Sequence, residues 1–200
     1  EMPGALPRIW RRRASLRATP PTVFLIAGEP SGDAIGARLM RALRNQYKSP
    51  VHFEGVGGEA MESEGLTSLF PMGELTVAGF AEVVPSLPRL AVRLFQTVRA
   101  VEAARPSVVV GIDSKGFNLR VLRALARRRG APSALHPPSA PIAVALPLAE
   151  RSPALVQYVG PSAWAFSDAE QRAAGLRGWL DRLLVLLPFE EALFYGSGVP

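Results

Sequence analysis

The chain has no cysteine, and that absence closes several routes at once. No disulfide can staple it, no thiolate can hold a metal, and no sulfur nucleophile can carry a covalent mechanism. Histidine is almost as scarce. The two present, His52 and His136, stand too far apart to make a recognisable ligand spacing and read as ordinary surface or half-buried side chains. Nothing in the sequence calls for a metal ion or a cofactor. No apolar run approaches the ~20 residues of a membrane-spanning helix, so contact with a membrane is expected to be peripheral. Acids are missing from one stretch in particular. Before residue 22 stand Arg8, Arg11, Arg12, Arg13 and Arg17 against the single acid Glu1. Setting that arm aside leaves 18 basic and 16 acidic residues, so the net charge of +6 shrinks to +2. The basicity belongs to the arm, and beyond Trp10 no aromatics interleave with it. No nucleic-acid partner is expected. Residues 1–21 read instead as an unstructured leader of the organellar transit type, rich in arginine and poor in acid.

What remains is a globular balance, with 48% hydrophobic and 20% charged residues. Thr22–Ala27 is a continuous apolar run of strand length, as in a strand buried on both faces. A glycine turn follows, Gly28-Glu29-Pro30-Ser31-Gly32-Asp33, and then Ile35, Leu39 and Leu43 recur at helical spacing. The pattern predicts further strands at 51–56, 108–112, 155–159 and 183–187. Helices are predicted around 59–64, over 86–104 and 118–129, and from 189 onward. Strand, glycine turn and helix in alternation give an α/β fold, a doubly wound and mostly parallel sheet of Rossmann-like type. Residues 131–154 break the rhythm with Pro132, Pro137, Pro138, Pro141, Pro147 and Pro153. Helix-to-strand loops usually take about 2–6 residues, so this segment reads as a loosely packed insertion.

Ligands of such sheets bind beyond the carboxyl ends of the strands. Three clusters are expected at that edge. The first, residues 27–33, offers glycines for close backbone approach together with Glu29, Ser31 and Asp33. It is neither a dinucleotide fingerprint nor a P-loop, and either Ser31 or Asp33 could simply cap the following helix. The second, residues 53–58, ends in Gly57 and Gly58 and by itself is only a flexible turn. The third places Asp113 directly after a buried strand, where a partly desolvated carboxylate can act as general base. Its alternative is to cap the helix from Asn118.

Taken in order, AGEPSGDAIGARLM (27–40), FEGVGGEAM (53–61), GLTSLFPMGELTVAGFAEVVPSLPRL (65–90), GIDSKGFNLRVL (111–122), YVGPSAWAF (158–166) and LLPFE (186–190) resemble the lipid-A-disaccharide synthase family, closest to its plant organellar branch. The resemblance covers residues 22–200 apart from 131–154. It implies the amino-terminal, acceptor-side domain of an inverting, two-domain GT-B glycosyltransferase, with the sugar-nucleotide domain absent from this chain. That family joins UDP-diacylglucosamine to diacylglucosamine 1-phosphate and releases UDP. Glu29 and Asp113 match its catalytic positions. The resemblance implies acceptor contacts from Ser31, Gly32, Asp33, Gly57, Gly58, Asn118, Ser162 and Trp164. The partners it implies are a glycolipid acceptor, a UDP-sugar donor only once the second half is supplied, and a membrane surface, mitochondrial if the leader is a transit segment. Two positions depart from the family pattern. Gly116 stands where many bacterial members carry a second aspartate, and Gln157 where the family usually has histidine. Alternatives from other classes are a non-catalytic lipid-binding module and an unrelated nucleotide-binding α/β protein.

The stretch from Phe70 to Val84 is apolar but broken by Pro71, Gly73 and Gly79, with Pro85 just beyond it, and no regular period holds. An irregular, exposed patch is therefore expected over 70–85. Phe70, Met72, Phe80, Val83 and Val84 would meet acyl chains there, and Arg89 and Arg93 anionic headgroups.

Overall fold

The structure, a computed structural model, describes residues 20–47, 50–75, 80–129 and 152–199, without the side chains of 80–86, 115 and 129. The expected leader and nearly all of the expected insertion lie outside these residues.

Five strands form one sheet: β1 (Thr22–Ala27), β2 (His52–Val56), β3 (Val108–Ile112), β4 (Ala154–Tyr158) and β5 (Arg182–Leu184). Their order is β2-β1-β3-β4-β5 and every neighbouring pair is parallel. This is the expected α/β fold. Between them run α1 (Pro30–Gln46), α2 (Glu59–Ser63), α3 (Phe80–Ala104), α4 (Lys115–Arg129), α5 (Ala169–Ala174) and α6 (Pro188–Gly196). The order reverses between β1 and β3. Their following loops part there to opposite faces, and that divergence opens a crevice at the carboxyl edge.

Alternation along β1 divides the core. Phe24 and Ile26 face one layer with Val98, Val101, Val109, Phe117 and Leu122, while Val23, Leu25 and Ala27 face the other with Ala37, Met40, Met61 and Ile112. The inner stripe of α1 is smaller than the apolar period suggests. Gly32, Asp33, Gly36, Ala37 and Met40 are its buried residues. Ile35, Leu39 and Leu43 only flank that layer. A Cβ at Gly36 would come within 2.5 Å of Met61 Sδ, so α1 lies close because its contact residues lack bulk.

Two elements differ from expectation. Helix α3 begins at Phe80 and continues through Pro85 and Pro88, so the 70–85 segment is not irregular throughout. Proline removes a bond and bends a helix, yet the helix persists while its later turns bury Val98 and Val101. Strand β5 stops at Leu184 instead of reaching 187. Pro188 at the first turn of α6 and Glu190, whose Oε2 accepts the Leu187 N–H at 3.1 Å, start a helix there.

Candidate functional site

The loops after β1 and β3 meet at the crevice. Ser31, in the first turn of α1, donates its hydroxyl to Asp113 Oδ2 at 3.1 Å across 82 positions of sequence. Glu29 is the residue preceding α1, in extended conformation, exposed, and without a side-chain capping bond. Pro30 supplies the start signal of the helix, so neither Ser31 nor Asp33 caps it. Glycine allows the approach. A Cβ on Gly28 would lie 2.3 Å from Ser114 Oγ, and one on Gly32 would lie 3.0 Å from the Ile112 carbonyl oxygen. Glu29, Ser31 and Asp113 thus share one edge at neighbouring strands, with an exposed carboxylate on one loop and a half-buried one on the other.

Asp113 sits in a demanding backbone conformation. Its φ is +53° and that of Ser114 is +36°, both in the left-handed region. Three groups hold the turn. The Asp113 N–H donates to the Tyr158 carbonyl at 2.9 Å. The Asn118 amide nitrogen donates to the carbonyls of Ile26 at 3.0 Å, Ile112 at 2.9 Å and Asp113 at 3.1 Å. The Gln157 amide nitrogen donates to the Asp113 carbonyl at 3.0 Å. Both amides are fully buried.

Two of the residues expected at the acceptor have structural partners of their own. Asp33 is 6% exposed, and its carboxylate accepts N–H groups of Gly58 at 2.8 Å, Ala60 at 2.9 Å and Met61 at 3.1 Å. It caps α2 from a neighbouring helix, compensating the donors that start that helix. Asn118 spends its donors on backbone carbonyls and has no exposed surface for a ligand. Gly57 is buried and Gly58 half-buried, and a Cβ on Gly58 would strike Asp33 Oδ2 at 2.7 Å. Their close approach serves the Asp33 cap. Gly32 is likewise buried against the end of β3.

Beyond β4, Ser162 is half-buried and Trp164 is 47% exposed. The Trp164 indole N–H donates to Glu190 Oε1 at 3.1 Å, and its ring meets Phe189 edge-on at 5.5 Å. The loop is thereby tied to the start of α6, with the indole face still open. Gly116 is exposed in the first turn of α4, and a Cβ there would meet only Arg120 Nη1 at 3.6 Å. Nothing steric keeps an aspartate out.

The residues expected to meet a membrane lie partly inside the fold. Phe70 is buried in the core, and the Arg93 guanidinium lies over its ring at 4.6 Å. Arg93 also grips Glu74 through two nitrogens, at 2.6 and 2.8 Å. Arg93 is therefore satisfied internally, and Phe70 is not on an exposed patch. Met72 is half-buried against the α1 side of the core. The side chains of Phe80, Val83 and Val84 lie outside the description. Exposed apolar surface appears further along α3, at Leu87, Val92 and Phe95, beside the exposed Arg89 and Arg99. Among the described residues, no helix is long and apolar enough to cross a membrane, and no group of three or more His, Asp or Glu side chains could hold a metal ion.

A family model described as lipid-A-disaccharide synthetase matches residues 23–136 and 134–200, the join falling within the proline-rich segment. The chain is 45% identical over 181 residues to the lipid-A-disaccharide synthase of Rhodospirillum centenum, covering 90% of the chain and 39% of that protein. It is 42% identical to the lipid-A-disaccharide synthase of Paramagnetospirillum magneticum, over 88% of the chain and 40% of that protein. An Arabidopsis thaliana protein named "Probable lipid-A-disaccharide synthase, mitochondrial" is 40% identical, over 88% of the chain and 35% of its own length. The chain therefore spans well under half the length of these relatives.

Proposed function

The chain belongs to the lipid-A-disaccharide synthetase family, and from that membership we propose that it is the acceptor-holding domain of a glycosyltransferase that moves diacylglucosamine from UDP-diacylglucosamine onto diacylglucosamine 1-phosphate. The observation that carries this reading is the Ser31–Asp113 contact at the point where strand order reverses. Transfer by direct displacement needs a base beside the acceptor hydroxyl. Asp113, oriented by Ser31, is the candidate held in place, and the exposed Glu29 is the second carboxylate at the same edge. With Gly116 in place of an acid, one of these two takes the proton. Stabilising the departing diphosphate requires positive groups, and these come with the donor-binding part that completes such a transferase.

The glycolipid lies in a bilayer, so the domain works at a membrane surface. We place that contact on the outer face of α3, where Leu87, Val92 and Phe95 are 52%, 54% and 58% exposed and Arg89 and Arg99 stand beside them. A mitochondrial membrane is the setting that the Arabidopsis relative's name supports.

Titrating the 200-residue chain with diacylglucosamine 1-phosphate in nanodiscs tests the assignment. Saturable binding that Asp113→Asn weakens about tenfold supports it. Binding of ATP or NAD with no response to the glycolipid contradicts it and favours an unrelated nucleotide-binding role.

A further inference from the structure

Two side chains at the carboxyl edge carry an unexplained cost. Asn118 and Gln157 are both fully buried, and among the described residues neither Asn118 Oδ1 nor Gln157 Oε1 has a hydrogen-bond partner. A buried acceptor left unmade costs about 1–3 kcal/mol. Their orientation is not arbitrary, because the amide nitrogen of each faces a cluster of backbone carbonyls that only a donor can satisfy. What these donors hold is revealing. Gln157 Nε2 reaches the carbonyls of Asp113 at 3.0 Å and Val159 at 3.2 Å. Both residues have positive φ, +53° for Asp113 and +72° for Val159. For a β-branched valine such a conformation is a true outlier, and it persists only where the surroundings impose it. One amide therefore spans two strained turns, those following β3 and β4.

The pocket for Gln157 is built into the strands. A Cβ on Gly111 would come within 2.7 Å of Gln157 Oε1 and 3.0 Å of Asn118 Cβ, so the bare glycine in β3 makes room for both amides. Asn118, one turn into α4, donates to the same Asp113 carbonyl and also reaches Ile26 in β1. Helix α4 and strand β4 thus converge on the Asp113 carbonyl just after β3, and Asn118 ties β1 to the same turn.

We propose that Gln157, acting with Asn118, is a positioning residue: its amide clamps the strained Asp113 turn so that the carboxylate stays fixed toward Ser31 and the acceptor. The catalytic part of this rests on the transferase reading above, while the clamp itself does not. Donors at this place serve geometry.

Amide hydrogen exchange in the 200-residue chain reads the clamp without any need for turnover. Gln157→Met keeps the length of the side chain and removes its donor. It is expected to speed exchange at Asp113 and Ser114 about tenfold, the loss of one net hydrogen bond. Val109 and Val110 in β3 should keep wild-type protection. Gln157→His, which retains an N–H donor, should restore much of the loss. If methionine is not tolerated, Gln157→Asn, which withdraws the amide by one methylene, gives the same comparison. Unchanged exchange at Asp113, or equal acceleration throughout the sheet, would overturn the clamp. In a fusion that completes the enzyme, the clamp predicts a lower kcat with KM little changed. A fusion that never transfers sugar removes the transferase reading and leaves the exchange result standing.

Discussion

A carboxylate that accepts three backbone N–H groups, as Asp33 does from Gly58, Ala60 and Met61, ties α1 to the start of α2. Asp33→Ala is expected to cost about 3 kcal/mol in urea denaturation, since hydrogen bonds to a charged group are worth more than neutral ones. A loss under about 0.5 kcal/mol would show that water replaces the bonds. Gly28 and Gly116 should behave oppositely. Alanine at Gly28 meets Ser114 Cβ at 2.8 Å as well as its Oγ, so Gly28→Ala should destabilise by about 1–3 kcal/mol. Aspartate at Gly116 finds open space in the first turn of a helix with Arg120 one turn on, and thermal melting should be unchanged or slightly raised. Sequence places Glu29 and Asp113 at strand ends, because a polar residue soon after a buried run marks the end of the strand. It could not separate Asp33 from them. Its partners lie 25 to 28 positions away, and only the docking of α1 on α2 brings them near. Gln157 was visible only as a departure, because no local pattern tells that a residue inside a strand reaches the next loop.

At the scale of elements, apolar periodicity served well wherever a segment has a single buried stripe and an unambiguous stop. At α3 it finds the helix over 86–104 but misses the turns from Phe80, where Pro85 looks like a boundary yet is carried within the helix. Pro85 and Pro88 predict a weak amino-terminal half. Pro88→Ala should raise the melting temperature, because an interior proline forfeits a bond and crowds the preceding turn. No rise would mean that the bend is needed by the packing. The outer face of the same helix carries the membrane proposal. Leu87→Ser with Phe95→Ser should abolish co-sedimentation with anionic vesicles and leave the melting temperature within a few degrees. Equal binding by wild type and variant would place the contact elsewhere. The far ends of α1 and α2 are tied electrostatically. Glu64, just after α2, takes hydrogen bonds from Arg41 at 2.5 Å and Arg44 at 2.8 Å on α1. The Arg41 hydrogen bond first, then the charge of Arg41 and the contacts of Arg44, hold its carboxyl below the usual glutamate range against opposing desolvation. A depressed folded-state value contributes stability that is present above the unfolded pKa and lost as pH falls through the folded one. Wild type should therefore exceed Glu64→Gln in urea midpoint at neutral pH, and the gap should close under acid. A gap that stays constant or widens as pH falls would contradict the ion-pair account.

For the whole molecule, the doubly wound order follows from repeated strand, turn and helix, each strand reading as a run buried on both sides. Glu29 and Asp113 fall together because β1 and β3 are neighbours at the reversal, a fact of topology that residue order alone leaves open. A transferase must hold donor and acceptor together, and positioning of that kind supplies roughly 7–11 kcal/mol of barrier lowering. The chain covers 39% of the Rhodospirillum centenum relative, and the proposed reading leaves donor binding to the remainder of such a protein. The direct measurement fuses this chain to the carboxy-terminal part of that relative and follows UDP release from UDP-diacylglucosamine in the presence of diacylglucosamine 1-phosphate. The account predicts turnover by the fusion, none by the 200-residue chain, and a fall of about 100-fold or more with either Glu29→Gln or Asp113→Asn. Turnover by both variants at the rate of the unmodified fusion would contradict it.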